Sequence, residues 1–240
     1  MSHVKQRAIR QAKDTEVRLP GMVLKGDLTL PENAQGIVLF AHGSGSSRHS
    51  PRNQFVARVI QDAGVGTLLF DLLTKEEEAI DLQTGRLRFD IGLLAERLVG
   101  ATQWVIEQFS HLRVGYFGSS TGGGAALVAA AQLGEEIGAV VSRGGRPDLA
   151  GNALLHVKSP TLLIVGGLDY PVIEMNRRAF ALLRCEKELK IIPGATHLFE
   201  EPGRLEQVAE LAADWFQRHL VVPEPHVHTR LANSTTEGKR

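Results

Sequence analysis

The chain of 240 residues has a single cysteine, Cys185, which excludes an intramolecular disulfide and a cysteine-rich metal site. That lone thiol reads as a buried apolar residue. Charge of neither sign is in excess: 27 Lys and Arg balance 27 Asp and Glu, and no dense basic cluster interrupts the balance. The electrostatic reason to expect nucleic acid or an anionic membrane as partner is therefore missing. No run of about 18 apolar residues occurs, and the opening stretch MSHVKQRAIRQAKDTEVRLP lacks the apolar segment of a secretory signal. A soluble cytoplasmic protein acting on a small molecule is expected. One further absence matters later: no lysine follows the glycines of GYFGSSTGGGAAL (115–127), so a phosphate-cradling P-loop fails at its central charge.

What is present is a rhythm of short apolar runs separated by segments of helical spacing. GIVLFAH (36–42), GTLLFD (66–71), RVGYFG (113–118), IGAVVSRGG (137–145), TLLIVGG (161–167) and LKIIP (189–193) are continuous rather than alternating, as strands covered on both faces are. Helices are expected over 53–64, 90–109, 121–134, 171–184 and 203–220. Such alternation predicts an α/β fold, a mostly parallel sheet flanked by helices on both faces with little or no cap domain. MVLKGDLTLP (22–31) alternates instead and predicts an antiparallel start. Residues 1–222 read as one domain and 223–240 as a flexible tail. The long connection 72–89 marks a pocket wall or lid. Inside it, Thr74 followed by Glu77 spells a capping box on a short solvated helix.

Gly118-Ser119-Ser120-Thr121-Gly122 is a G-x-S-x-G between an expected strand and an expected helix. Alone, the pentapeptide serves equally well as a structural turn. As a nucleophile's seat it needs a turn so sharp that strand and helix backbones almost touch, and glycine on either side removes the side chains that would collide. The helix start behind Ser120 offers free amides to a developing negative charge, that of Thr121 first. Ser119 is then a neighbour.

A base and an acid decide between the two. Asp169 follows TLLIVGGL and His197 follows LKIIPGAT, each just past the carboxyl end of an expected strand, where open α/β sheets gather functional groups. Either alone reads as a local turn device. The order Ser120, Asp169, His197 is the order that hydrolases of this architecture use. AHGSGSSRHSPRN (41–53) begins at another strand end; the Ser44 amide is the expected second oxyanion donor and His42 a brace for that loop. Arg48, His49 and Arg52 either line the entrance or, the slightly favoured reading, are solvated. Arg143 and Arg146 in SRGGRPD could attract a substrate carboxylate or form ordinary salt bridges. His111 precedes a strand, His219 ends a helix, and the pair His226 and His228 in the tail do not make a metal site, so neither metal nor cofactor is expected.

HGSGSSRHSPRN, GYFGSSTGGGAAL, IVGGLD and GATHLFEEPG together resemble the α/β-hydrolase superfamily, in particular its dienelactone hydrolase-like branch, from about residue 20 to about residue 220. The resemblance implies a triad of Ser120, Asp169 and His197, with oxyanion donors at Ser44 and Thr121. It departs at the nucleophile, since dienelactone hydrolases use cysteine and this chain has serine at 120. The chain also resembles hydrolase domains that occur beside phosphoribosyltransferase domains. The expected activity is cleavage of small or aryl carboxylic esters through an acyl-enzyme in a shallow, open pocket. A lactonase, thioesterase or acyltransferase, and a hydrolase-shaped binding protein, stand as the alternatives.

Overall fold

A computed structural model describes residues 13–221. The expected flexible tail, with His226 and His228, lies outside them. Eight strands form one sheet. β1 (Lys13–Leu19), β2 (Met22–Thr29) and β4 (Gly66–Phe70) pair antiparallel; β3 (Gly36–Ala41), β5 (Arg113–Ser119), β6 (Ile137–Arg143), β7 (Thr161–Gly166) and β8 (Lys187–Ile192) continue it in parallel, β3 also pairing parallel with β4. The order across the sheet is β1-β2-β4-β3-β5-β6-β7-β8. The expected class is observed, and the alternating segment is an antiparallel strand with a second one ahead of it.

The central strands β3 to β7, apolar on both faces, are buried almost throughout, because helices cover both sides. One face carries α1 (Pro51–Asp62) and α6 (Arg204–Leu220), which close over Phe40, Phe117 and Val141 with the fully buried Trp215 and Phe216. The other carries α3 (Ile91–Gln108), α4 (Thr121–Leu133) and α5 (Tyr170–Leu182), packed over Leu39, Tyr116 and Leu163. The two edge strands, KDTEVRL and KELKII, bear alternating charges that discourage edge-to-edge pairing with other chains.

α2 (Lys75–Thr84) starts at the expected capping box: Thr74 Oγ1 accepts from the Glu77 amide at 3.2 Å while Glu77 Oε2 accepts from the Thr74 amide at 2.9 Å. Glu77 also pairs with Arg97 of α3 at 2.5 Å, which fastens this helix to the body of the fold. Residues 147–156 form short 3₁₀ turns that the sequence pattern did not reveal, because Pro147 and Gly151 (φ 52°) interrupt any helical period.

The order of strands places the site. From β3 the chain crosses to β4 on one side, then returns past β3 to β5 on the other, so the winding reverses between β3 and β5. Loops leaving the carboxyl ends of those two neighbours diverge and open a crevice. The 42–50 loop follows β3, and Ser120 follows β5.

Candidate active site

Ser120 sits between the last residue of β5 and the first of α4, with φ 51° and ψ −123°, a conformation a non-glycine residue rarely adopts. The surroundings hold it there: its amide donates to the Arg143 carbonyl at 3.3 Å, and its carbonyl accepts from the amides of Gly123 and Arg146, both at 3.0 Å. The glycines flanking it are required by space. A Cβ on Gly118 would lie 2.5 Å from the Gly122 carbonyl oxygen, and one on Gly122 would lie 2.1 Å from that of Ala41. Strand and helix backbones do approach too closely for side chains.

His197 Nδ1 lies 2.6 Å from Asp169 Oδ2. The carboxylate is mostly shielded, its side chain 13% exposed, whereas the imidazole is 39% exposed. A proton on Nδ1, donated to the carboxylate, leaves Nε2 bare to act as a base. Both residues stand on loops tied to one another: the Leu168 amide donates to the Ala195 carbonyl at 2.9 Å and the Gly167 amide to that of Ile192 at 2.8 Å. Glu201 caps the Thr196 amide, and Phe199, at φ 57° yet 1% exposed, anchors the histidine loop in the core.

Gly144 lies between the two neighbourhoods. A Cβ on that residue would be 3.5 Å from both Cε1 and Nδ1 of His197, and Gly144 directly follows the Arg143 whose carbonyl holds the Ser120 amide. Among the described residues no hydrogen bond joins the Ser120 hydroxyl to His197. Bonds of this kind in unliganded hydrolases are often long and tighten with substrate in place.

On the β3 side, Gly43 packs against the serine, since a Cβ there would be 3.0 Å from Ser120 Cβ. The Ser44 amide is not free: it donates to Thr121 Oγ1 at 3.0 Å, a bond that pins the loop over the start of α4. His42 braces the same loop, with Nδ1 3.0 Å from the Gly43 carbonyl oxygen and Nε2 accepting from the Leu72 amide at 3.2 Å. Both contacts are satisfied only by the neutral, Nδ1-protonated ring. Burial pushes its pKa below the ordinary 6.5, against the upward pull of the Gly43 carbonyl, Asp71 and Glu78.

Beside this loop opens a cleft of about 930 Å³, lined by the 42–52 loop, by Asp71 to Glu76 and by Glu78, Asp81, Leu82, Arg88 and Thr121. None of Ser120, Asp169 and His197 lines it; the cleft reaches α4 at Thr121. The 72–89 segment is thus one wall. Arg48, expected to be solvated, is instead paired with Asp71 and, at 3.5 Å, with Asp27, which locks the loop to that wall. Sequence reasoning missed this pair because nothing local signals a contact across 23 residues. Arg52 pairs with Glu200 at 2.9 Å.

The two arginines of SRGGRPD part company. Arg146 is engaged by Asp148 through two bonds, at 2.9 and 2.7 Å. Arg143 is not on the loop at all: it is the last residue of β6, 7% exposed. Cys185 is half-buried, its sulfur 3.8 Å from the Thr161 hydroxyl. No group of His, Cys, Asp and Glu among the described residues is placed to hold a metal, and no described helix is long and apolar enough to cross a membrane.

Residues 24–222 match the dienelactone hydrolase family. The chain belongs to that family. It is 63% identical to a dienelactone hydrolase of Anabaena variabilis whose crystal structure superposes with a TM-score of 0.87, covering 88% of this chain and 99% of that one. Est1E of Butyrivibrio proteoclasticus, 16% identical, has the same fold at a TM-score of 0.71, covering 86% of this chain and 98% of its own. Two curated proteins of Mycobacterium tuberculosis strains are 57% identical over 217 residues and carry the provisional name phosphoribosyl transferase. The match takes in 89% of this chain but 48% of theirs, so the chain spans about half the length of these relatives. This member of the dienelactone hydrolase family is an α/β hydrolase with serine, not cysteine, at the elbow.

Proposed function

We propose that the protein is a serine hydrolase that cleaves carboxylic esters through an acyl-enzyme, with Ser120 as nucleophile, His197 as general base and acid, and Asp169 as the group that orients the imidazole. The observation that carries the reading is the strained Ser120 backbone at the N-terminus of α4, on the same sheet edge as the 2.6 Å pair of His197 and Asp169. A non-glycine residue at φ 51° is costly, and such strain gathers at functional sites.

In this mechanism His197 Nε2 takes the Ser120 proton as Oγ attacks the acyl carbon, and returns it to the departing alcohol. Water, deprotonated by the same nitrogen, then releases the acid. The Thr121 amide, at the first position of α4, stabilises the oxyanion. The Ser44 amide is the second donor, and it must turn or share its hydrogen with the oxyanion in place of Thr121 Oγ1. Protonated Asp169 is not an intermediate: its charge stabilises the imidazolium. The partner is a small-molecule ester seated in the cleft beside Thr121, and no cofactor enters the chemistry. A cytoplasmic setting belongs to the same reading.

Ser120→Ala tests it. Turnover of 4-nitrophenyl acetate should fall by about four orders of magnitude with the melting temperature little changed, and a fluorophosphonate probe should label wild type at Ser120 and leave the variant unlabelled. Unaltered hydrolysis, or an unreactive Ser120 in the wild type, removes the serine from the chemistry.

A further inference from the structure

Two arginines are buried among the described residues, and they are not treated alike. Arg97 is paired with Glu77 at 2.5 Å. Arg143 has no carboxylate partner, and its Nε and Nη1 are sealed from solvent without a hydrogen-bond acceptor. A guanidinium stays charged under all ordinary conditions, so an unpaired one in the interior is costly and calls for an anion.

The neighbourhood is built for one. Ser142 faces α4, where its Oγ would be 2.6 Å from a Cβ on Gly123, so alternation turns Arg143 to the opposite face with Ala139 and Val141, the face that α1 and α6 cover. There it comes within range of Arg52, in the first turn of α1. Burial, and then the charge of Arg52, lower the Arg143 pKa to about 10. Arg52 gives Nη1 to Glu200, but its Nε is also buried and unpartnered. The first turn of α1, a helix of 12 residues, contains no acidic residue to answer its own positive end. Of these two cationic side chains, only Arg52 has a carboxylate partner among the described residues, that of Glu200.

We infer that Arg143 and Arg52 form a binding site for a small oxyanion, a carboxylate or phosphate group, beneath the catalytic edge of the sheet. Arg143 pairs in register with Ser119 and is followed by the Gly144 that touches His197, so the bound anion lies next to the reacting groups without being one of them. The anion arrives in one of two ways, as part of the substrate or as a free ion. This site goes beyond the esterase reading, and its binding is measurable with hydrolysis switched off.

Sodium acetate and sodium phosphate are titrated into the full chain carrying Ser120→Ala, at ionic strength held constant with sodium chloride, with the melting temperature as readout. A saturable rise is expected for at least one of them. Arg143→Gln should weaken that binding by about ten- to hundredfold, the worth of a charged hydrogen-bonding partner. Should that variant not fold, Arg52→Gln takes its place and is expected to weaken binding in the same direction. An equal response with and without the arginine, or no saturable response, overturns the site, while fluorophosphonate labelling of the Ser120 protein independently keeps or removes the hydrolase reading. The source is then read from activity. A preference for mono-4-nitrophenyl succinate over 4-nitrophenyl acetate that disappears in Arg143→Gln assigns the anion to the substrate. A change in 4-nitrophenyl acetate turnover on adding phosphate, absent in the variant, assigns it to a free ion.

Discussion

Gly122→Ala puts the geometry of the elbow to a direct test. The new methyl carbon would lie 2.1 Å from the Ala41 carbonyl oxygen and 2.7 Å from that of His42. Ordinary van der Waals contact begins at 3.4 Å, so relief at the first of these asks for a displacement of about 1.3 Å, the difference between the two distances. Both obstacles are backbone atoms at the end of β3 and have no rotamer to retreat into. Overpacking of this kind costs about 1 to 3 kcal/mol, and the gain in helix propensity on replacing glycine offsets about 1 kcal/mol at most. A net loss of about 2 kcal/mol lowers the melting temperature of a chain this size by roughly 4 to 8 °C. Activity should suffer more. A shift of about 1 Å in the nucleophile or the Thr121 amide costs about a hundredfold in kcat/KM. Thermal melts and 4-nitrophenyl acetate kinetics read both effects. Gly92→Ala is the control: its nearest neighbour would be 3.4 Å away, and it should be neutral to slightly stabilising. If Gly122→Ala melts and turns over like wild type, the close approach of α4 to β3 is not what positions the serine.

Asp169→Asn keeps the shape of the 2.6 Å contact but removes the charge and the preference for an Nδ1 proton, and should lower kcat by about three to four orders of magnitude; a loss under about tenfold would refute its orienting role. His42 makes stability depend on pH. Its folded pKa lies below that of the unfolded chain, so unfolding takes up a proton; the contribution is complete above 6.5, shrinks as pH falls below that value, and stops changing once pH is under the folded pKa. Melting temperatures between roughly pH 8 and pH 5 should therefore decline on the acid side, and less steeply in His42→Gln. Thr74→Ala removes half of the capping box of α2 and should cost about 1 kcal/mol, seen as a melting temperature lower by roughly 2 to 4 °C.

Much of the site was legible because its signals are local. The Ser120 elbow is a pentapeptide, the Thr74 box spans four residues, and the apolar runs that became β3 to β7 declare themselves by composition. The meeting of Asp169 with His197, on the same sheet edge as Ser120, was legible one step further, through their shared place after strands, since a parallel sheet sends every such residue to the same edge. The 3₁₀ turns at 147–156 were not, because Pro147 and Gly151 erase the period on which recognition depends.

Composition and short-range pattern by themselves determined the class of fold and the sharp turn at Ser120, because backbone conformation responds to neighbours in the chain. Which charges meet was decided only in three dimensions. Arg48 with Asp71, the Ser44 amide on the Thr121 hydroxyl, Arg146 with Asp148 and the unpartnered Arg143 all depend on which strand lies beside which and which face each residue takes. Three of these four join segments that strand order and packing bring together, or set apart, without any trace in sequence spacing. Even the fourth, two residues apart, became informative only once the burial of Arg143 beside it was known.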